Sequence, residues 1–203
     1  MKGLLIKDVL NLRPQFRIYI IILLIWFAIA LFRADCTFFS GVMVMFVVML
    51  PINTIAYDEK AGWDKFALTM PLSRDDIVLA KYLFMICTIT AIAVITFIGN
   101  LIITRDVAES AGVMLYAMPV GLILDAVIIP LLLKFGVEKG RVVFIAAMLI
   151  AFVIAMVVIT EGNPGELIAV SETVFNIILW LAGIIMTALS VMVSRNIYNR
   201  KDF

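Results

Sequence analysis

Asp125 is the residue in this chain best placed to do proton chemistry. It is the single carboxylate deep inside a long apolar stretch, and Pro119 and Pro130 flank it. An ionised aspartate at bilayer depth costs about 2.5–3.5 kcal/mol on insertion scales, so it must hold a proton, find a partner or face water. Each proline frees a carbonyl four residues upstream, which is expected to bend the helix around Asp125. Two roles stay open: lining a transport path, or bonding the broken backbone or a neighbouring span. Thr96, Asn100 and Thr104 recur at i, i+4 and i+8, and Gly183, Thr187, Ser190 and Ser194 form a stripe of small residues elsewhere. Thr96 and Asn100 are candidates for the same path, although such stripes most often mark helix–helix contact.

Other chemistries lack their residues. The chain has no histidine, which removes histidine metal sites and Ser-His hydrolase arrangements. No GxxxxGK[ST] phosphate loop occurs, so the chain does not bind ATP by that mechanism. The carboxylates are dispersed and no metal site is expected. Cys36 and Cys87 fall at opposite ends of apolar spans, beyond disulfide reach. No basic face lies outside the membrane flanks, which leaves nucleic-acid binding without support. The chain reads as a non-enzyme with no cofactor of its own.

The elements that carry these residues are membrane spans. Hydrophobic residues make up 65% of the 203 and mean hydropathy is +1.16, against about 45–50% apolar in soluble domains. The expected fold is all-α and polytopic, with six transmembrane helices at 18–32, 36–56, 82–104, 111–133, 142–160 and 174–194. Residues 1–17 form a basic, amphipathic lead-in. Leu5, Val9, Leu12 and Phe16 lie along one side, while Lys7, Asn11 and Arg13 face elsewhere. That pattern suits a helix in the membrane interface, or a plain extension of the first span. The first apolar run lacks a small-x-small cleavage site and reads as a retained span. One membrane domain over 1–203 accounts for the chain: lead-in 1–17, spans one and two within 18–56, a polar loop 57–81, spans three to six within 82–194, and a tail 195–203.

Orientation follows from Lys and Arg. Fourteen of the 16 basic residues fall in the lead-in, the 57–81 loop, the 134–141 turn and the tail; only Arg33 and Arg105 fall on the other side. Both termini and the long loop are therefore expected in the cytoplasm. The outer segments are mildly acidic, with a turn signal at Gly162-Asn163-Pro164-Gly165.

The loop is the one long polar interval. Trp63, Phe66, Ala67 and Met70 have the i, i+3, i+4, i+7 spacing of one helix face. Asp58 and Glu59 are expected at that helix's N-terminus, where negative charge suits its dipole. Pro71 closes it. Ser73 and Asp76 have capping-box spacing and open the next span.

These residues resemble a family. Tyr57-Asp58-Glu59, Trp63-Asp64-Lys65-Phe66, Thr69-Met70-Pro71-Leu72-Ser73-Arg74 and Ile77-Val78-Leu79-Ala80-Lys81-Tyr82 are similar to the membrane subunits of type-2 ABC exporters. The likeness extends to the short permeases of bacterial exporters of phenol-soluble modulins, and Met1-Lys2-Gly3-Leu4-Leu5-Ile6-Lys7-Asp8 resembles their opening. The resemblance implies a coupling helix between spans two and three that docks on a separate ATP-binding cassette subunit, which holds ATP and Mg. Carried over, Trp63 and Phe66 would be apolar anchors, with Met70 on their face. Asp58, Glu59 and Asp64 would be rim charges, and Arg74 would fix the loop after Pro71. Two permease chains, identical or different, would assemble with two ATPases in a bacterial plasma membrane and export amphipathic or hydrophobic peptides, cytolytic or antimicrobial. The outer segment looks short for a membrane-dipping hairpin, though 167–170 could dip partway. The alternatives are a non-transporting immunity or scaffold subunit, and a proton-coupled carrier using Asp125. On the plain physical reading, Trp63 and Phe66 could also anchor in lipid headgroups.

Overall fold

The computed structural model describes residues 2–67, 69–70, 73–161 and 172–201; Pro71 and the expected outer loop at 162–171, including 167–170, lie outside them. Every regular element among the described residues is helical. The order is α1 (Lys2–Leu12), a 3-10 turn (Arg13–Gln15), α2 (Phe16–Arg33), α3 (Cys36–Ala61), α4 (Trp63–Ala67), α5 (Arg74–Thr104), α6 (Val107–Phe135), α7 (Val137–Glu161) and α8 (Glu172–Asn199). Among the described residues five helical stretches are long and apolar enough to cross a membrane: Gly3–Arg33, Cys36–Ala61, Arg74–Thr104, Val107–Phe135 and Thr173–Asn199.

Helix ends follow the chemistry of their caps. The Asp35 side chain accepts from the Phe38 amide to start α3, and Asp106 accepts from the Ala108 and Glu109 amides to start α6. The capping box at the head of α5 is complete, with Ser73 and Asp76 each bonding the other's backbone. These donors have no intrahelical acceptor and would otherwise go unpaired.

Cross-helix contacts fix direction. Along α3 and α6, Cys36 meets Glu109, Val47 meets Gly121, and Glu59 meets Gly136, so these two helices are parallel. Along α6 and α8, Leu115 bonds Trp180, Ala126 bonds Ser190, and Leu133 bonds Lys201; these too are parallel. Between α3 and α5 the pairs are Ser40 with Asn100 and Asp58 with Lys81, an antiparallel arrangement. The side chains of α2 point largely outward, with Ala30 its one buried residue; a helix apolar all round suits a lipid-facing place.

The core lies where α3, α5 and α6 meet, with α8 against α6. Small residues permit the close approaches. A Cβ on Gly99 would sit 2.3 Å from the Phe39 ring, and one on Gly121 would sit 3.0 Å from Val47. In hydrocarbon, where apolar burial gives little net drive, such packing and interhelical hydrogen bonds hold helices together. The stripe Gly183, Thr187, Ser190 and Ser194 faces this contact: Gly183 packs on Leu122, and Ser190 and Ser194 both bond the Tyr82 hydroxyl at 2.6 and 2.7 Å. Pro51 lies inside α3, where Thr54 Oγ1 donates back to its carbonyl at 2.9 Å. Asn53 donates to the Tyr19 hydroxyl, which donates to Gln15 at 2.7 Å.

Candidate functional site

The loop between α3 and α5 departs from the expected layout at its start. Asp58 and Glu59 do not begin the short helix; they belong to the last turns of α3, which runs on to Ala61. The break comes at Gly62, whose φ of 61° is left-handed and whose N–H returns to the Asp58 and Glu59 carbonyls. A residue without Cβ adopts that conformation at little cost. Trp63–Ala67 then forms the five-residue α4, and the chain reaches Ser73 and α5.

Asp58 is correspondingly not a rim charge. It is buried and accepts from Lys7 Nζ at 2.7 and 2.6 Å, from Lys81 Nζ at 2.5 Å and from Asn11 Nδ2 at 3.4 Å. Lys81 also bonds Asp8 at 3.0 Å, and Lys7 lies 3.1 Å from Asp8. Two cations and two anions from α1, α3 and α5 thus form one compensated cluster. Buried charge is tolerated only with such pairing. The lead-in helix and both ends of the loop are tied at this point.

Glu59 is likewise engaged inside the chain. Its Oε2 accepts from the Val137 amide at 2.6 Å, at the head of α7. Gly136, with φ of 78°, leaves room for it; a Cβ there would meet Glu59 Oε1 at 2.9 Å. Asp64 accepts from the buried Tyr198 hydroxyl at 3.0 Å. Arg74 Nη1 donates to the carbonyls of Tyr198, Asn199 and Lys201 at 3.3, 2.7 and 3.2 Å. A guanidinium there satisfies the open carbonyl end of α8. Arg74 therefore joins the loop to the end of α8 as well as to its own helix.

The apolar residues of the loop divide by burial. Ala67 is fully buried and Trp63 half-buried, its ring 4.4 Å from Lys7 Nζ and 5.5 Å from the Phe66 ring. Phe66 is 55% exposed and Met70 36%. Trp63 and Ala67 hold α4 to the bundle, while Phe66 and exposed Lys65 form its outward face; the helix stops at Ala67, short of the expected Met70, which is exposed in the bend beyond it. Beside the loop an open cavity of about 540 Å³ carries both signs of charge, with Glu59, Lys60, Glu138 and Arg141 among its lining residues.

The intramembrane candidates are not brought together with the loop. Thr96 is buried and donates to the Ile92 carbonyl at 2.8 Å within α5, and Asn100 donates to Ser40 at 2.8 Å across the α3–α5 contact. Both side chains are packed between helices and face no path within this chain. Asp125 is fully buried on α6, and neither carboxylate oxygen has a hydrogen-bond partner. Of the two roles left open for Asp125, the bond to freed backbone or to a neighbouring span is not made among the described residues.

Lys7 and Asp8 of α1 are the residues at this site whose part in the charged cluster sequence reasoning passed over. An aspartate within an otherwise basic lead-in was the available signal, since an acid beside a membrane-facing helix needs a cation. Among the described residues no group of acidic or sulfur side chains could hold a metal ion, and Cys36 and Cys87 are both free.

No curated protein and no solved structure matches the chain. Residues 3–199 match the family described as ABC-2 family transporter protein. With apolar helices throughout, and that match spanning nearly its whole length, the chain belongs to the ABC-2 transporter family and is a membrane-spanning permease subunit of an ABC transporter.

Proposed function

We propose that this chain is one membrane half of an ATP-driven exporter of amphipathic or hydrophobic peptides, and that α4 is the helix on which the ATPase subunit docks. The observation that carries the reading is Phe66, a large aromatic left 55% exposed on a helix anchored on its other side by Ala67 and Trp63. An exposed aromatic on a rigid support is the composition of an interface hot spot. The anchors divide the labour: Phe66 and Met70 make contact, while Trp63 transmits movement into Lys7 and α1.

The assembly we propose has six spans with both ends in the cytoplasm. α6 and α8 run parallel, so the chain between them must return across the bundle, and the 25-residue α7 is about 37 Å long at 1.5 Å per residue. That length covers a hydrocarbon core of about 30 Å. The excess of Lys and Arg at the loop end supports a cytoplasmic position for that end. The mixed-charge cavity beside the loop would then be the cytoplasmic entry for a peptide carrying both signs of charge.

The test is co-purification with the ATPase subunit from the native host. Phe66→Asp should abolish recovery of the ATPase while the permease still elutes as a folded particle. Full recovery with Phe66→Asp, or with a Phe66→Asp/Met70→Asp pair, would show that α4 is not the docking element.

A further inference from the structure

α1 carries two different faces, and the charged one is already accounted for by the cluster with Asp58 and Lys81. Its apolar face is packed on protein only in part: Leu4 and Leu12 are buried, while Val9, and Phe16 beyond the adjoining turn, stay exposed. Val9, Leu12 and Phe16 form one wall of a concave groove of about 360 Å³, whose other wall is the α5 surface from Phe84 through Ala91 to Ile95. The lining is almost wholly hydrocarbon. A groove of this kind in a membrane protein is filled by something apolar.

Three observations identify the occupant. The α5 wall from Phe84 to Ile95 is about 16 Å long at 1.5 Å per residue, which matches half of a hydrocarbon core of about 30 Å and so the reach of one acyl chain. The groove begins beside the charged cluster, with Phe84 one turn beyond Lys81, at the membrane surface on the loop side. Arg13 and Arg17 bracket Phe16 at that end; both are exposed and neither has an ion-pair partner among the described residues. Arg13 stands in the 3-10 turn and Arg17 in the first turn of α2, one on either side of the groove-lining Phe16 along the chain. Guanidinium groups bind phosphate oxygens in bidentate fashion.

We propose that the groove between α1 and α5 is a binding site for one anionic phospholipid of the loop-side leaflet, with an acyl chain along Phe84–Ile95 and the phosphate at Arg13 and Arg17. The site rests on the orientation proposed above, since the cytoplasmic leaflet is the anionic one. Its consequence is that the lipid replaces missing protein packing beneath α1 and fixes where the lead-in helix sits.

The experiment is native mass spectrometry of the full chain, purified from membranes containing both phosphatidylglycerol and phosphatidylcholine. The expected result is one phosphatidylglycerol retained per chain after detergent washing. Ala91→Trp, which fills the groove, should remove it; Val94→Trp, on the exposed face outside the groove, should leave it in place. Arg13→Gln/Arg17→Gln, which leaves the packed faces untouched, should lower retention at least tenfold and erase the preference over phosphatidylcholine. Equal loss in Val94→Trp and Ala91→Trp, equal retention of both lipids by the native chain, or no retained lipid would overturn the proposal. Efficient Cys87–Cys87 cross-linking in native membranes would overturn it too, because Cys87 lines the groove and a second copy would then occupy it.

Discussion

Replacing Asp58 with Asn removes the central acceptor of the cluster and leaves Lys7 and Lys81 close together with only Asp8 between them. The cluster's charge changes from zero to +1 in a place where Asp8, Asp58 and Lys81 are each less than a tenth exposed. Removing one partner of a buried pair costs about 3–5 kcal/mol, so Asp58→Asn should be among the most destabilising single changes at the loop end. The double variant Asp58→Asn/Lys81→Met restores neutrality and keeps the Lys7–Asp8 pair at 3.1 Å. It should therefore be more stable than Asp58→Asn alone, with a coupling energy of about 1–3 kcal/mol. Thermal melting in detergent, followed by size exclusion, reads four proteins: the native chain, Asp58→Asn, Lys81→Met and the double variant. ATPase recovery should fall with Asp58→Asn at temperatures where the permease remains folded, because α4 loses its tether while keeping Phe66 exposed. Melting of Asp58→Asn at the native temperature would refute the reasoning. So would a double variant that loses the sum of the two single effects, since the charges would then not be acting as one unit.

Other perturbations test separate parts of the fold. Gly99→Ala should destabilise by about 1–3 kcal/mol through overpacking against Phe39, and Phe39→Leu in the same chain should recover part of the loss on melting. Ser73→Ala removes the cap of α5 and should cost about 1 kcal/mol, read as a lowered melting point with unchanged oligomeric state. Asp125→Asn should leave the melting temperature unchanged or higher, since no ion pair is lost; a large drop would mean that the carboxyl has a partner in the assembled transporter. Export by that variant, assayed in the native host, then divides the roles. Normal export makes Asp125 dispensable to transport, and lost export with intact assembly makes it a path or proton-carrying residue.

Much of the fold was legible because its signals are local. The capping box at Ser73 and Asp76, the α8 stripe facing α6 and the helical class each follow from spacing within a few residues. The loop's electrostatics were not legible. Asp58 and Glu59 beside an amphipathic run look like a helix start, yet they end α3, and the break before α4 falls at Gly62. The partners that draw Asp58 inward stand 51 and 23 residues away in sequence, and the amide that Glu59 caps stands 78 away. Arg74 was read as a local brace, but its acceptors belong to the far end of the chain. Long-range charge pairing leaves no periodic trace, so a residue of this kind looks like solvated surface until the helices are assembled. The family itself was readable as a resemblance carried by the residues of 57–82, and residues 3–199 match it.

The charged cluster also bears on how the protein is made. Lys7 and Asp8 leave the ribosome first, but Asp58 follows only after two apolar helices, and Lys81 comes last, 73 residues after Asp8. Until then the early pair has one internal partner each and no burial partner from α5. A nascent chain at that stage is best served by keeping α1 at the water surface, where its charges stay hydrated while α2 and α3 enter the bilayer. Arrival of Lys81 then completes the neutral set and makes docking of α1 favourable. Closure of the lead-in helix is thereby timed to the insertion of α5, and a chain truncated before residue 81 should keep α1 open to protease at the membrane surface.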